Sequence, residues 1–270
     1  MSDDLGEELL DLAVRVAESA GDLLLDYVSR RDLDVETKSS ATDPVSEADH
    51  AAERHITAGL LEARPDDGIL GEEDAANRPG TTGVTWVIDP LDGTVNFLYA
   101  IPVWCVSIAC RDAAGGLVGV VRDPDRGETF AARRGAGATL NGRPIAVNAV
   151  ADLSRALIAT GFSYDAEVRR VQGAWAADLL GRARDLRRGG AAALDLAWAA
   201  AGRHDAFYEF GLKPWDLAAG AVLVEEAGGR SSTREVEVAG RPGVLAAAGA
   251  PAVHDQLVAW LGELGVVVGS

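Results

Sequence analysis

Cysteine is almost absent from this 270-residue chain. Only Cys105 and Cys110 occur, both inside an apolar, strand-like run, so no disulfide framework is possible and both read as reduced core thiols of a cytoplasmic protein. Basic residues are also scarce. Lys and Arg number 25 against 42 Asp and Glu, a formal charge of -17 that repels nucleic acid and anionic membrane and raises the local concentration of Mg²⁺. No apolar run is long enough to span a bilayer, and the acidic stretch 1–8 lacks a signal-peptide n-region, so a soluble protein is expected. Neither an HExxH motif nor Cys/His ligand spacing occurs. The four histidines, His50, His55, His204 and His254, therefore read as surface or helix-face residues, and zinc is a poor fit. No Ser-His-Asp or Cys-His pairing offers a covalent nucleophile.

Hydrophobic residues make up 48% of the chain, which excludes disorder for most of it. Leu9, Leu12, Ala13, Val16, Ala20 and Leu23 recur at helical spacing and predict an amphipathic helix over about residues 3 to 30. A short extended piece over 33 to 37 leads to a helix over about 44 to 63, with Pro44 in its first turn and Pro65 past its end. A strand over 68 to 70 follows. Between 103 and 132 the pattern becomes strands separated by Gly- and Asp-rich turns, an antiparallel meander, and Asn141-Gly142 signals a further hairpin. The second half alternates: strands over 156–160, 184–188, 206–209 and 243–247, and helices over about 165–182, 191–201, 215–227 and 252–264. Without repeats or a Pro/Ser-rich linker, layered α and β elements form lobes packed as one unit.

The chemistry concentrates in Trp86-Val-Ile-Asp-Pro-Leu-Asp-Gly-Thr-Val-Asn-Phe97. An apolar strand over 84 to 88 places Asp89 at its carboxyl end, Pro90 stiffens the turn and Gly93 permits close backbone approach. A short helix starting near Gly93 would point unpaired N–H groups at the same spot, the arrangement for a phosphate bridged by divalent metal. Asp-Pro and Asp-Gly are also ordinary turn dipeptides, and Asp92 alone also reads as a helix cap. Further acidic residues stand at element ends: Asp43 and Asp49 around a helix start, Glu72 and Glu73 after a strand, and Asp216 in Lys213-Pro-Trp-Asp-Leu-Ala-Ala-Gly220. Carboxylates from separate segments suit Mg²⁺, which takes oxygen ligands and keeps waters. Each has a plainer role. Asp49 completes a capping box with Ser46, Glu73 is a solvated neighbour of Glu72, and Asp216 caps its helix.

The two signatures Trp86 to Phe97 and Trp215-Asp-Leu-Ala-Ala-Gly220 with Glu226-Ala-Gly-Gly229, supported by Asp43-Pro-Val-Ser-Glu-Ala-Asp49 and Gly71-Glu-Glu73, resemble the inositol monophosphatase family. This family lies within the lithium-sensitive, Mg²⁺-dependent phosphatases that include fructose-1,6-bisphosphatase. The resemblance implies one αβαβα sandwich over 1–270, with lobes at about 1–150 and 151–270, usually dimeric and with metals between the lobes. It implies that Glu72, Asp89 and the Leu91 carbonyl hold one metal and that Asp89, Asp92 and Asp216 hold a second. Glu72 holds a third through water. Thr94 with Asp49 positions the attacking water, which Glu72 and Thr94 hold, and the backbone of Gly93 and Thr94 cradles phosphate. Asp92, Ala192 and Glu209 match positions that hold inositol hydroxyls, so the implied substrate is a phosphorylated polyol, inositol monophosphate, hydrolysed in line. Lys38 corresponds to a lysine near the family's metal site and receives no role.

Ala191 departs from the family pattern, standing where many members have Ser or Thr. The alternatives are a related phosphatase acting on histidinol phosphate, fructose-1,6-bisphosphate or 3′-phosphoadenosine 5′-phosphate, and a noncatalytic interaction protein, because one bacterial relative also serves in ribosomal RNA transcription. The acidic set favours catalysis, and the charge disfavours direct RNA contact.

Overall fold

The computed structural model describes residues 3–31, 43–72 and 77–265. Lys38, Glu73 and the extended piece expected over 33 to 37 fall outside them. Two helices, α1 (Asp3–Arg31) and α2 (Asp43–Ala63), form the first layer. Leu9, Leu12, Ala13, Val16 and Ala20 are buried as their spacing predicts, and Leu24 rather than Leu23 closes the stripe. Helix α2 begins at Asp43, so Ser46 lies within its backbone, and the Ser46 side chain on which the expected capping box depends lies outside the described residues.

The layer beneath is a seven-stranded sheet in simple sequential order: β1 (Gly68–Gly71), β2 (Thr85–Asp92), β3 (Cys105–Asp112), β4 (Gly115–Asp123), β5 (Glu128–Arg133), β6 (Gly137–Leu140) and β7 (Arg143–Ile145). Only β1 and β2 pair in parallel; the rest form the antiparallel meander read from the turns. Asn141 and Gly142 both take positive φ at the β6–β7 hairpin, as a tight two-residue turn requires. Short helix α3 (Thr94–Leu98) follows β2 directly.

The second sheet has the order β11-β12-β10-β8-β9, from β8 (Leu157–Thr160), β9 (Asp185–Arg187), β10 (Ala206–Leu212), β11 (Arg230–Val238) and β12 (Arg241–Gly249). Helices α5 (Ala192–Ala200) and α6 (Pro214–Glu226) lie between the sheets, while α4 (Ala166–Leu180) and α7 (Pro251–Glu263) cover the outer face. Three apolar clusters, one under each outer helix layer and one spanning both faces of the middle helix layer, define five layers, the αβαβα sandwich. Sandwiched helix α5 is apolar except for Asp195, and its alanines let two sheets approach it closely. Strand β11 is absent from the expectations above. Its sequence, Arg-Ser-Ser-Thr-Arg-Glu-Val-Glu-Val, is polar because it is an edge strand, and only Val238 in it is buried.

Cys105 and Cys110 are free and buried on β3. His204 and His254 are buried, which corrects the surface reading for His204: it sits in the turn after α5, between Trp198 and Asp195. His254 does lie on a helix, α7, where Ser232 hydrogen-bonds its Nε2 at 2.8 Å. Among the described residues, no helix is long and apolar enough to cross a membrane.

Candidate active site

Strand alternation aims the first carboxylate. Trp86 and Ile88 face the α1–α2 layer and Val87 faces α5 and α6, so Asp89, two residues on, points toward the middle layer. The strand does not stop at Ile88 as the apolar run suggested; it continues through Pro90 to Asp92. Asp89 pairs with Ser107 and Asp92 with Cys105, leaving Pro90 and Leu91 opposite the single residue Val106, so a bulge re-aims the chain between the two carboxylates. Within it the Asp89 Oδ1 accepts the Leu91 N–H at 3.0 Å. The chain then turns through Gly93, whose φ of 90° is left-handed and whose missing Cβ would stand 2.9 Å from the Val103 carbonyl. Helix α3 begins at the next residue, and the Thr94 hydroxyl donates to the Leu91 carbonyl at 3.1 Å.

Asp92 reaches across the middle layer. Its Oδ2 accepts the Ala193 N–H at 2.7 Å, in the first turn of α5, and the Cys105 thiol lies 3.7 Å away. Ala191, the residue before α5, supplies no side-chain cap. A carboxylate 101 residues away therefore fills the place that Ser or Thr would take, which accounts for how Ala191 is tolerated. Asp216 caps its own helix: its Oδ2 accepts the Lys213 N–H at 2.7 Å. Capping does not remove it from the cleft.

Glu72, Asp89, Leu91, Asp92, Gly93, Thr94, Ala192, Glu209 and Asp216 all line one cleft of about 300 Å³. Of the residues singled out in the sequence, Asp49 is not on that wall; it is buried on α2 and its charge acts on Asp89 from behind. The acids disturb one another. Burial first, then the charges of Asp92, Glu72, Asp216 and Asp49, push the Asp89 carboxyl well above its ordinary range. Burial and Asp216 raise Asp92 to about 7, opposed by the N–H groups of Ala193, Ala192 and Leu194. Burial raises Asp216 too, against the Lys213 N–H and charge. Glu209 rises to about 8 through burial and the charges of Asp92, Asp195 and Asp216, with Arg188 opposing.

Several participants went unnoticed in the sequence. Asp195 is buried on α5 and pushed to about 8 by burial and by Asp92. Its Oδ1 faces the His204 Nδ1 at 3.8 Å. Asn96, buried in α3, donates both amide hydrogens, to the Val103 carbonyl at 2.7 Å and the Gly189 carbonyl at 2.9 Å, and so ties the β2–α3 motif to the segment before α5. Arg188 and Lys213 bring positive charge to an acidic cleft. Nothing local in the sequence marks Asp195 and Arg188, whose charged neighbours Asp92 and Glu209 come from other parts of the chain. The wide Asp-Gly-Thr-Val-Asn run was the available signal for Asn96.

The donor set is one of hard oxygens, which fits Mg²⁺ in kind. Among the described residues no three His, Cys, Asp or Glu side chains already form a closed metal group.

The family model of the inositol monophosphatase family matches residues 6–263. A Pseudomonas aeruginosa protein named Nus factor SuhB is 45% identical over 83% of this chain and 84% of its own. An inositol-1-monophosphatase of Mycobacterium bovis is 43% identical over 84% of this chain and 81% of its own. The solved structure of Mycobacterium tuberculosis SuhB superposes with a TM-score of 0.82 at 37% identity, covering 97% of this chain and 98% of that one. With the fold, the family match and these relatives in agreement, this chain belongs to the inositol monophosphatase family.

Proposed function

We propose that this chain hydrolyses phosphate monoesters of polyols, inositol monophosphate foremost, in a divalent-metal-dependent reaction. The observation that carries the reading is one cleft that gathers Glu72, Asp89, Asp92 and Asp216 beside the start of α3, with Glu209 on the same wall. Glu72, Asp89, the Leu91 carbonyl, Asp92 and Asp216 would hold Mg²⁺, two or three ions by family resemblance, which when bound supply Lewis-acid charge and a water of lowered pKa. The chain's own groups do the positioning. The Thr94 hydroxyl, its hydrogen committed to the Leu91 carbonyl, keeps lone pairs to accept a hydrogen bond from a water in the cleft and so orient it, a role that Asp49 shares by family resemblance. Gly93 and Thr94 present backbone to the phosphate. Asp92, the Ala192 backbone and Glu209 orient the polyol, and catalysis rests on placement and electrostatics more than on covalent chemistry.

The direct test is phosphate release from a panel of inositol, histidinol, fructose-1,6-bis- and 3′-phosphoadenosine 5′-phosphates with and without Mg²⁺. Preference for inositol monophosphate, lost in EDTA, is expected; equal use of all four would reject the polyol assignment. The name of the Pseudomonas relative motivates a second reading, a noncatalytic role with a protein partner, and no turnover on any ester would favour it. A homodimer is proposed on the family resemblance and on the exposed Val95, Tyr99 and Ile101 beside α3. Sedimentation velocity checks it.

A further inference from the structure

Strands β8 and β10 run parallel, with Thr160 in register with Tyr208. The next residues along, Gly161 and Glu209, are therefore lateral neighbours. Gly161 is buried and its φ lies outside the left-handed region, so its backbone does not require glycine. Space does. A Cβ on Gly161 would overlap all three atoms of the Glu209 carboxylate, Oε1, Oε2 and Cδ. The carboxylate lies folded over the bare Cα, and both residues line the cleft.

Buried Gln172 of α4 holds this slot from behind. Its Oε1 accepts the Ser163 N–H at 2.8 Å, while its Nε2 donates to the Phe210 carbonyl at 3.3 Å and, more loosely, to the Gly161 carbonyl at 3.5 Å. One side chain thus spans the segment that carries Gly161 and the strand that carries Glu209. Placement within about 1 Å governs how well a bound polyol presents its phosphate.

We propose that Gly161 is a specificity-determining residue: by lacking a side chain it leaves the slot that fixes the Glu209 carboxylate, and so sets where polyol hydroxyls are held. This rests on the proposed role of Glu209 and goes beyond it, because Gly161 acts through the position of the Glu209 carboxylate. The added methyl of Gly161→Ala meets only the free end of a flexible side chain, so the fold tolerates it while the carboxylate must move.

The test is steady-state kinetics of wild type, Gly161→Ala, Glu209→Gln and the double variant on inositol 1-phosphate and on a small aryl phosphate. Gly161→Ala should lower kcat/KM for the inositol ester about 5- to 100-fold, mainly through KM, and the aryl ester by less than about threefold. The double variant should lose no more than the worse single one, since both act through one carboxylate. Gln172→Glu keeps the acceptor for Ser163 but loses the donors to Gly161 and Phe210, and should give the same substrate-selective loss without adding an atom to the cleft. Additive losses, equal losses on both esters, or a wild-type substrate ratio in Gly161→Ala and Gln172→Glu while Glu209→Gln loses inositol ester use would overturn the inference alone. Undiminished inositol ester use in Glu209→Gln would remove the polyol role of Glu209 and the inference with it.

Discussion

Replacing Asp92 by Asn separates what this residue does for the fold from what it does for turnover. The amide is nearly the same shape, and its oxygen can still accept the Ala193 N–H that the carboxylate accepts at 2.7 Å. Exchanging a charge-assisted hydrogen bond for a neutral one costs about 1 kcal/mol. Against that loss stands a gain: burial and Asp216 already disfavour the charged form, raising the Asp92 carboxyl to about 7. The two effects oppose each other, so the net change is within about 1 kcal/mol and Tm should shift by less than about 4 °C for a chain of this size. Turnover has no such compensation. As a metal ligand and hydroxyl acceptor in the proposed reaction, Asp92 is needed for its charge, and kcat should fall at least about 10²-fold. The assay is phosphate release at saturating Mg²⁺ beside a thermal melt in EDTA. A variant that keeps more than about a tenth of wild-type kcat would refute the ligand assignment, and one that melts far lower would refute the energetic argument.

Thr94→Ala removes a hydroxyl and no proposed metal ligand, so kcat should drop about 10²- to 10⁴-fold with the Mg²⁺ concentration dependence unchanged; wild-type kcat would leave Thr94 a turn residue. In EDTA, turnover should vanish and return with Mg²⁺, and lithium should inhibit; activity undiminished in excess chelator sinks the metal reading. Asp195 and Glu209 at about 8 and Asp92 at about 7 keep protons in the folded state that unfolded carboxyls release near about pH 4. The folded state binds more protons between these limits, so stability of the metal-free protein falls as pH rises through the window; a melting temperature that climbs from pH 5 to 9 in EDTA contradicts this. Asn96→Ala strands the Val103 and Gly189 carbonyls and should cost about 2 to 4 kcal/mol in chemical denaturation; a cost below about 1 kcal/mol would show that water replaces the amide.

What the sequence made legible follows from range. Helix stripes such as Leu9 to Ala20 and hairpin turns such as Asn141-Gly142 are local, and the structure keeps them. Asp89 and Asp92 stood out because both belong to one short motif. Strand β11 did not, since an edge strand with one buried residue carries no apolar signal. The pairing of Asp92 with Ala193 is invisible for a different reason: alanine offers only its backbone N–H, which any residue possesses. Gly161 and Gln172 were likewise silent, because their roles appear only when β8 and α4 are placed beside β10.

The cap that Asp92 lends to α5 also bears on how the chain acquires its structure. Helix α5 has only nine residues and no cap of its own, too short to persist in water alone. Its first turn is completed by β2 of the seven-stranded sheet, which couples docking to helix formation. The two sheets should therefore unfold in one transition, and a fragment ending near residue 150 should leave Asp92 without its partner and the remaining piece with a frayed α5. With 101 residues closing that contact, refolding should be slow relative to the meander's hairpins, and cutting the gene between β7 and β8 should yield halves that recover structure only when mixed.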